Sequence, residues 1–418
     1  MKYDIIVVGG GFAGVGAAVA AAREGCRVLI IEQSGSLGGA ASNCLVLPFM
    51  PYYTKVKKPD GSSERLDLVQ GIFKEICGRL EALGQLSGNT FGGDYLKVVL
   101  DRITAEAGVD VLFHSAVTEV LKDGKRLYGV VFSTVAGSMT AEADCFVDAT
   151  GDANLSFLAG CRFQLGREGD NLCQPMTLCF RVANVCRDEV EEEREEMQRL
   201  YKQYRAEGKI KNPREDILLF RMIAKNMIHF NTTRVVRLNP TDPFELSRAE
   251  TEAREQMVEL VDFLKTNLHS FRNAEIVASA SSIGVRESRM VLGEHILTGS
   301  ELVEMKKFED SVAAGNYDID IHNPEGSGTS HYFFPDGGYY TIPYRSLAVK
   351  DADNLLAAGR CISCDHEAQA SIRIMPICCA TGQAAGTAAA AAFKSGCAVR
   401  DADISEIRKA LKRNGAFI

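Results

Sequence analysis

The chain opens with Lys2-Tyr3-Asp4-Ile5-Ile6-Val7-Val8-Gly9-Gly10-Gly11-Phe12-Ala13-Gly14, an apolar run that ends in a glycine-rich turn. An alanine-rich stretch follows, and a second apolar run, residues 26–31, leads to Glu32. This order predicts strand, turn, helix and strand. We interpret it as the βαβ unit that binds an adenine dinucleotide.

Each glycine of the turn has a separate role in this interpretation. Gly9 allows the sharp turn off the strand, Gly11 lets the backbone approach a pyrophosphate, and Gly14 allows the helix to pack closely on the sheet. The pyrophosphate then faces the start of the helix, where Phe12 and Ala13 stand, because the amino end of a helix attracts negative charge.

Glu32 is placed to accept hydrogen bonds from a ribose diol, and Gln33 is assigned to the same site. A carboxylate at this position repels a 2′-phosphate, so NADP is disfavoured. The motif by itself does not separate FAD from NAD, and that choice depends on the rest of the chain.

Composition places the chain among globular proteins. It has 418 residues, of which 46% are hydrophobic and 24% charged, enough for two lobes. The net charge of -8 comes without a basic patch, which disfavours nucleic acid and anionic membranes and favours small molecules as partners. The first strand begins directly after Met1, and no apolar run reaches the roughly 20 residues of a membrane span. We therefore expect a cytoplasmic protein.

Cysteine usage fits that compartment. The 13 cysteines are an odd number and fall in apparent core segments, such as Cys26 and Cys145. This pattern favours reduced, buried thiols over a disulfide framework.

Two further segments of small residues are predicted to lie along the cofactor. One is the loop 34–42, for which a plain surface turn is the alternative. The other is the strand 143–148 with its tip at residues 149–152, which follows a predicted helix, Tyr95 to Ala107, and a β-meander over residues 117–132.

The middle of the chain, from about Cys161 to Tyr340, has a different character. It contains a strand-like run, 176–182, an acidic helix around residues 189–205, and a helix predicted to begin at the capping box Ser247-Arg248-Ala249-Glu250. We interpret it as an inserted lobe. The predicted domains are a discontinuous nucleotide-binding domain, residues 1–160 and 340–418, and an inserted substrate or cap domain, residues 161–339.

The last hundred residues return to nucleotide-domain character. Residues 354–358 predict a strand that runs into a turn at Gly359 and Arg360, and a helix follows from Pro376 to Phe393. Its amino end could stabilise the negative charge that a reduced flavin carries near N1 and O2, which favours FAD over NAD. The candidate cofactor residues beyond Gln33 are Gly38, Gly39, Ala40, Ser42, Val117, Ala149, Thr150, Gly151, Asp152, Gly359, Arg360 and Ile374.

These segments together resemble the glutathione-reductase-like flavoproteins, and among them the bacterial FAD-dependent oxidoreductases related to fumarate reductase and thiazole synthase. The motifs that carry the resemblance are the fingerprint 9–14 with Glu32, the doublet Gly38-Gly39, and segments 148–152, 286–289, 342–347 and 359–376. The resemblance implies an α/β fold: a Rossmann-like FAD-binding domain, with a parallel sheet and a β-meander, and an inserted α+β cap domain. It also implies FAD stretched across the parallel sheet, with the flavin between the two domains.

The chain departs from some relatives in that family. No histidine stands between Gly38 and Leu47, so we predict noncovalent FAD. A second G-x-G-x-x-G is absent, which argues against a separate NAD(P)H domain, so electrons come from the substrate, a transient donor, or a protein or quinone partner. No cysteine run fits an iron–sulfur cluster, and the histidines have no zinc-like spacing, so no metal is predicted. The oligomeric state is left open.

Four side chains are candidates for chemistry: His366, Arg373, Arg345 and Arg286. His366 can act as acid or base near neutral pH, or it can only hydrogen-bond the cofactor loop. Arg373 can bind a substrate carboxylate or pair with a neighbouring acid, and Arg286 belongs to an Arg-Glu-Ser-Arg run that can be an internal ion-pair network.

One cysteine pair has the spacing of a redox dithiol. Cys361 and Cys364 form a C-x-x-C, but coincidence is the favoured interpretation because the chain has many other cysteines.

The sequence therefore predicts an FAD-dependent oxidoreductase that transfers a hydride between noncovalent FAD and a small, carboxylated organic substrate. One alternative is a noncatalytic or electron-relay FAD-binding subunit. Another is a thiazole-synthase-like biosynthetic protein. A flavin-dependent hydroxylase ranks lower, because Gly359-Arg360-Cys361 stands where a Gly-Asp-Ala-Ala-type turn is expected.

Overall fold

The computed structural model describes residues 1–58 and 60–418. Its helices are α1 (Phe12–Arg23), α2 (Ile72–Ala82), α3 (Gly93–Glu106), α4 (Asn154–Leu158), α5 (Arg187–Glu192), α6 (Arg194–Ala206), α7 (Pro243–Asn267), α8 (Gly299–Val303), α9 (His366–Ile372), α10 (Met375–Ser395) and α11 (Ile404–Arg413). The strands are β1 (Lys2–Val8), β2 (Val28–Ile31), β3 (Tyr53–Lys57), β4 (Ser63–Asp67), β5 (Leu86–Ser87), β6 (Thr90–Phe91), β7 (Asp110–Leu112), β8 (Ala116–Asp123), β9 (Arg126–Thr134), β10 (Gly137–Asp148), β11 (Phe163–Leu165), β12 (Phe180–Ala183), β13 (Leu219–Arg221), β14 (Met227–Phe230), β15 (Glu275–Ser279), β16 (Arg289–Val291), β17 (Ser311–Gly315), β18 (Ile319–His322), β19 (Thr329–Tyr332), β20 (Tyr340–Pro343) and β21 (Leu355–Ala357).

The largest sheet combines a parallel half and an antiparallel half, as predicted. Its strand order is β7-β2-β1-β10-β9-β8, and β21 also pairs with β10. Strands β7, β2, β1, β10 and β21 run parallel, whereas β8, β9 and the first half of β10 form the predicted β-meander. The long strand β10 therefore joins the two halves and brings its tip beside the end of β1. The predicted α/β, Rossmann-like fold class is confirmed.

Helices α1 and α10 pack against each other at backbone contact. A Cβ built at Gly382 would lie 2.0 Å from the Ala13 carbonyl oxygen, and one at Gly386 would lie 1.9 Å from the Ala17 carbonyl oxygen. Only glycine fits at these two positions. The two helices run parallel at this contact, so their amino ends point the same way.

A second apolar cluster has its own sheet and helices. Its buried members fall between Met176 and Ile283, under the sheet β13-β14-β12-β15 and the helices α6 and α7. Side chains of the following segment, including Met290, Leu297 and Val312, belong instead to the first cluster. The domain boundaries at residues 160 and 340 stay predictions.

Local boundaries in this region differ from those predicted. Helix α7 begins one turn before the predicted capping box, because Pro243 occupies its first turn and the Asp242 side chain accepts hydrogen bonds from the N–H groups of Phe244 and Glu245, both at 2.9 Å. The Ser247 hydroxyl donates to the Pro243 carbonyl oxygen instead, at 2.7 Å.

Two other predicted elements are interrupted. The strand-like run at 176–182 becomes regular only at Phe180, after isolated bridges at Met176 and Thr177. The acidic helix is broken at Glu193, whose carboxylate accepts hydrogen bonds from the N–H groups of His269 and Ser270, both at 3.1 Å.

None of the helices in the described residues combines the length and the apolar character that a membrane span requires.

Candidate functional site

The glycine-rich turn leaves an open backbone surface at the end of β1. Gly9 has a φ of +97°, and a Cβ on it would lie 2.5 Å from the Ala149 carbonyl oxygen at the tip of β10. A Cβ on Gly14 would collide with the Gly9 carbonyl oxygen at 1.8 Å, whereas one on Gly11 would meet only the Gly39 Cα, at 3.8 Å. Gly9 and Gly14 thus hold the turn together, and Gly11 leaves space beside the start of α1. No side chain of the described residues caps that helix end, which begins at Phe12 and Ala13.

The glycine doublet lies directly against this turn. The Gly38 N–H donates to the Gly10 carbonyl oxygen at 2.9 Å, and Gly38 and Gly39 have φ values of +109° and +52°. The predicted residues Ala40 and Ser42 belong to the short helical turn that follows, where the Ser42 hydroxyl donates to the Leu37 carbonyl oxygen at 2.6 Å.

Glu32 stands at the end of β2 and is 5% exposed. One carboxylate oxygen accepts the Gly10 N–H at 2.6 Å and the other accepts the Ser34 N–H at 2.7 Å. The neighbouring residue Gln33 is exposed. Val117 lies near the start of β8, two residues after Ser115, whose N–H donates to the Glu32 carbonyl oxygen. The acid is therefore fixed beside the glycine turn.

The tip of β10 is held by the buried carboxylate of Asp148. Its oxygens accept hydrogen bonds from the Thr150 and Ser156 hydroxyls, both at 2.7 Å, and burial raises the pKa of this group. Thr150 is thereby turned toward Asp148, and Ala149 packs against Gly9.

The next two predicted residues meet Arg360. A Cβ on Gly151, whose φ is +79°, would lie 2.8 Å from Arg360 Nη2. That nitrogen donates to Asp152 at 2.7 Å, and Arg360 Nη1 donates to the Ser288 hydroxyl at 2.9 Å. Arg360 thus joins the tip of β10 to the segment 286–289.

The second helix end completes this group. Gly359, with a φ of +81°, lies so close to α1 that a Cβ on it would be 2.8 Å from the Ala13 Cβ. Ile374 precedes α10, and no side chain in the described residues caps that helix end either. The set fits FAD: a bare backbone turn suits a pyrophosphate, a fixed acid suits a ribose, and an uncapped helix end suits the negative charge of a reduced flavin.

His366 is buried next to a carboxylate. It is 4% exposed, and its Nδ1 lies 2.8 Å from Glu287, which is itself fully buried. Burial opposes the charged imidazolium, but the contact with Glu287 outweighs it and raises the pKa of His366 above its usual value. The other oxygen of Glu287 accepts the Gln174 N–H at 2.9 Å.

Arg286 contacts the residues that follow Gln174 and lies near three other arginines. Its Nη1 donates to the Pro175 carbonyl oxygen and to the Thr177 hydroxyl, both at 2.6 Å. Burial and the neighbouring guanidinium groups lower the pKa of Arg286 to about 9; these neighbours are Arg373, Arg214 and Arg234.

Arg373 pairs with Asp320, and the neighbouring Arg234 and Arg214 pair with Glu215 and Asp216. Asp320 Oδ2 accepts hydrogen bonds from Arg373 at 3.3 Å and from the Tyr317 hydroxyl at 3.0 Å, and lies 3.3 Å from His322 Nε2. Burial raises the pKa of Asp320, but His322, Arg373 and Arg286 outweigh it and hold the pKa well below its usual range. Asp320 is thus an anion, and it faces several cations.

The same carboxylate meets a histidine across a strand pair. Asp318, Asp320 and His331 bring ligand-type atoms within 4.8 Å of one another, because β18 and β19 place Asp320 opposite His331. The spacing of histidines in the sequence did not predict this group. Arg373 already bonds Asp320, so we treat the three residues as part of the arginine network.

Arg345 lies apart from the other three catalytic candidates. Its side chain is 53% exposed and pairs with Asp310 at 3.0 Å. The structure therefore brings together His366, Arg286 and Arg373, linked through Gln174, Gln369 and Asp320, but not Arg345.

The C-x-x-C thiols are free and buried. Burial raises the pKa of both Cys361 and Cys364 well above the usual value, so the thiolate that dithiol chemistry needs is disfavoured. This supports the interpretation of their spacing as coincidence.

Two polar residues near the site were missed in the sequence. Arg181 on β12 and His229 on β14 are buried on the sheet face turned away from the second cluster. The alternation of polar and apolar residues in the two strands could have identified them. Each stands between two apolar residues that are buried in that cluster.

Comparison with known proteins gives three similarities of different extent. A family model described as FAD dependent oxidoreductase matches residues 4–411. A 6-methylpretetramide 4-monooxygenase of Streptomyces rimosus is 28% identical over 173 residues, which cover 35% of this chain and 38% of that protein. A thiamine thiazole synthase of Aeropyrum pernix is 32% identical over 162 residues, covering 36% of this chain and 55% of that protein. The matches thus span between 38% and 55% of these two relatives.

One solved structure matches over nearly the whole of this chain, but at low sequence identity. A geranylgeranyl bacteriochlorophyll reductase-like protein from Thermoplasma acidophilum is 14% identical, with 99% of this chain and 83% of that chain covered and a TM-score of 0.46.

Proposed function

The chain belongs to the family of FAD-dependent oxidoreductases, and on this premise we propose that it transfers a hydride between noncovalent FAD and a small organic substrate that carries a carboxylate. The family makes it an enzyme with FAD as cofactor. When bound, the flavin supplies hydride acceptance or donation. The substrate class and the residues that bind it are the proposed part.

The observation that carries the carboxylate is the pairing of the arginines around Arg286. Arg373, Arg214 and Arg234 pair with Asp320, Asp216 and Glu215, whereas Arg286 has no ion-pair partner among the described residues. Arg373, Arg214 and Arg234 all lower its pKa, and Asp320 is the acid that acts against them there. A substrate carboxylate near Arg286 would relieve this repulsion and accept charge-assisted hydrogen bonds. We therefore assign substrate binding to Arg286, with Arg373 as its neighbour.

His366 has a different assignment. Its contact with Glu287 raises its pKa and so stabilises the imidazolium, which favours a role as proton donor over a role as base. Arg345 is left out of the proposed substrate site because it is exposed and paired with Asp310.

The cofactor assignment uses the residues around the two uncapped helix ends. We propose that Gly11, Phe12 and Ala13 approach the pyrophosphate and that Glu32 accepts from the ribose. Gly38 to Ser42, the tip of β10, Gly359, Arg360 and Ile374 line the rest of the cofactor. This set is supported by the closeness of the three segments at Gly9, Gly39 and Gly359.

The test is anaerobic reduction of the FAD-loaded protein by a panel of small hydroxy, amino and unsaturated acids, each with its amide as a neutral match. We expect some acids to bleach the yellow flavin band, or to reoxidise a chemically reduced flavin, while the amides do not. Arg286→Gln should slow the reaction about a hundredfold, the loss of one strong charge-assisted contact. Arg162→Gln, at an exposed arginine paired with Asp351, should not.

Two outcomes would contradict the proposal. Equal reaction of acids and amides would remove the carboxylate requirement. A flavin that responds to no small molecule but to a protein reductant would favour the electron-relay alternative.

A hydroxylase is a second candidate because one similar protein is a monooxygenase. It predicts that one atom of O2 is incorporated into the substrate and that the other leaves as water. Labelled O2 and mass spectrometry of the product would separate this from hydride transfer alone.

A further inference from the structure

The sheet of the second cluster has a polar face that adjoins the candidate cofactor loops. Along β12 and β14, Phe180, Val182, Ile228 and Phe230 are buried in the second cluster. The residues between them face the other way, and the strand register pairs Arg181 with His229. We call this side of the sheet, defined by Thr177, Cys179, Arg181, His229 and Asn231, the inner face.

The segment 281–284, in which Gly284 pairs with Thr177 of the inner face, is packed against the residues that follow the glycine doublet. The Cys44 thiol donates to the Ile283 carbonyl oxygen at 3.5 Å, and the Ser281 N–H donates to the Asn43 carbonyl oxygen at 2.9 Å. A Cβ built at Gly284 would lie 3.7 Å from the Cys44 Cβ. The end of the inner face at Thr177 therefore lies beside the loop assigned to the cofactor.

Arg181 is a buried cation without an anionic partner. It is 8% exposed, its Nε has no hydrogen-bond partner, and no ion pair involves it among the residues that the structure describes. Burial lowers the pKa of Arg181, although Asp94 acts in the other direction. A charge that is largely removed from water and has no partner destabilises a folded protein, so an anionic ligand at this guanidinium would be stabilising.

The guanidinium of Arg181 is aimed at the amino end of α3. A Cβ built at Gly93, the first residue of that helix, would lie 3.0 Å from Arg181 Nη2. The preceding Gly92 offers no side-chain cap, and the side chain of Asp94 is 83% exposed and pairs with Lys97. The partial positive charge of the helix end thus adds to that of the guanidinium.

His229 lies opposite Arg181 and is fully buried. Neither ring nitrogen has a hydrogen-bond partner within the described residues. Burial, together with the charge of Arg181, lowers the pKa of His229 to about 3, so the ring is neutral. A neutral imidazole with one free N–H can donate to an anion.

We propose that Arg181, His229 and the amino end of α3 bind a second anionic group of the substrate, a carboxylate or a phosphate. The inference rests on the proposed function, which assigns the first carboxylate to Arg286. Arg286 bonds Thr177, and Arg181 follows Thr177 by four residues on the same face, about 13 Å along an extended segment. The substrate is therefore an elongated dianion that spans the inner face.

The test compares ligands that carry one and two anionic groups. The FAD-loaded protein is titrated with monocarboxylates, α,ω-dicarboxylates and phosphonocarboxylates of matched chain length, at constant ionic strength. Binding is followed by the flavin difference spectrum and by the melting temperature. We expect one class of dianion to bind at least about tenfold more tightly than the monocarboxylate, the effect of one charge-assisted contact; the class that does so identifies the second group.

Three variants separate binding from a structural role. Arg181→Met and His229→Phe should remove the preference for dianions and leave the melting temperature without ligand unchanged or higher, because each removes an unpartnered buried polar group. Arg221→Met, at an exposed arginine on β13 of the same sheet, should keep the preference.

The outcomes also separate this inference from the proposed function. A dianion preference that persists in Arg181→Met, a wild type without any such preference, or a melting temperature that falls in Arg181→Met would each overturn the inference. If Arg286→Gln keeps monocarboxylate binding while Arg181→Met loses the dianion preference, the second subsite stands and the assignment of the first carboxylate is wrong.

Discussion

The buried pair of His366 and Glu287 makes the stability of the protein depend on pH. Because the folded-state pKa of His366 is raised above the unfolded value of about 6.5, the pair contributes fully below that pH, and the contribution is lost as the pH rises through the folded-state pKa. We predict that the free energy of unfolding falls between about pH 6.5 and the folded-state pKa of His366. His366→Gln should be about 2 kcal/mol less stable at pH 6 and should lose this slope. Urea denaturation at several pH values measures both.

A matched control exists for this prediction. His269 is 56% exposed and pairs with Glu189 on the surface, so His269→Gln should retain the slope. An unchanged pH dependence in His366→Gln would mean that another group is responsible.

Glu32 stabilises the glycine turn by accepting two backbone hydrogen bonds, and it is also the residue proposed to bind the ribose. Glu32→Ala would leave the N–H groups of Gly10 and Ser34 without acceptors in a buried setting. We expect a loss of about 2 kcal/mol in the FAD-free protein and weaker FAD binding. Thermal unfolding and flavin fluorescence titration test this, and Glu119→Ala, an exposed carboxylate on β8, should change neither. Weaker FAD binding with unchanged stability would show that the two backbone contacts matter little.

At the scale of elements, the contact between α1 and α10 positions both helix ends. Gly382→Ala would place a methyl group 2.0 Å from the Ala13 carbonyl oxygen, so the helices must separate. We predict destabilisation by more than about 3 kcal/mol and loss of bound FAD, because the two ends no longer flank one space. Denaturant unfolding and the flavin content of the purified variant are the measurements.

Gly78 provides the control for this element. It lies in α2, and a Cβ there meets no atom within 4 Å. Gly78→Ala should stabilise the protein by about 0.5–1 kcal/mol, the ordinary helix preference. If both substitutions behave alike, close packing of α1 and α10 is not what Gly382 provides.

At the scale of the whole molecule, the two apolar clusters predict two units of local stability. Phe230 is fully buried in the second cluster and Phe146 in the first. Phe230→Ala should cost about 3–5 kcal/mol and speed hydrogen exchange mainly within residues 176–283, leaving β1, β2 and β10 protected. Phe146→Ala should speed exchange in those strands. Uniform acceleration by Phe230→Ala would show one cooperative unit and would argue against a separate cap domain.

The sequence by itself determined the features that depend on local order. The turn 9–14 between an apolar strand and an alanine-rich helix, the β-meander and the small-residue helix near the carboxyl end predicted the fold class, and the motifs predicted the family and its cofactor. These predictions are confirmed because strand and helix periods and glycine spacing are properties of neighbouring residues. The predicted start of α7 at Ser247 was wrong, because the Asp242 cap and Pro243 start the helix one turn earlier.

Only the tertiary structure decided which charged groups meet. Arg286 and Arg345 look alike in the sequence, yet one lies among three other arginines and the other pairs with Asp310 at the surface. Asp320 meets His331, and Arg181 meets His229, through strand register. Such contacts depend on strand register and on the packing of separate segments, so no local pattern of residues specifies them. Burial then decides their protonation, because it removes the water that would otherwise solvate each charge.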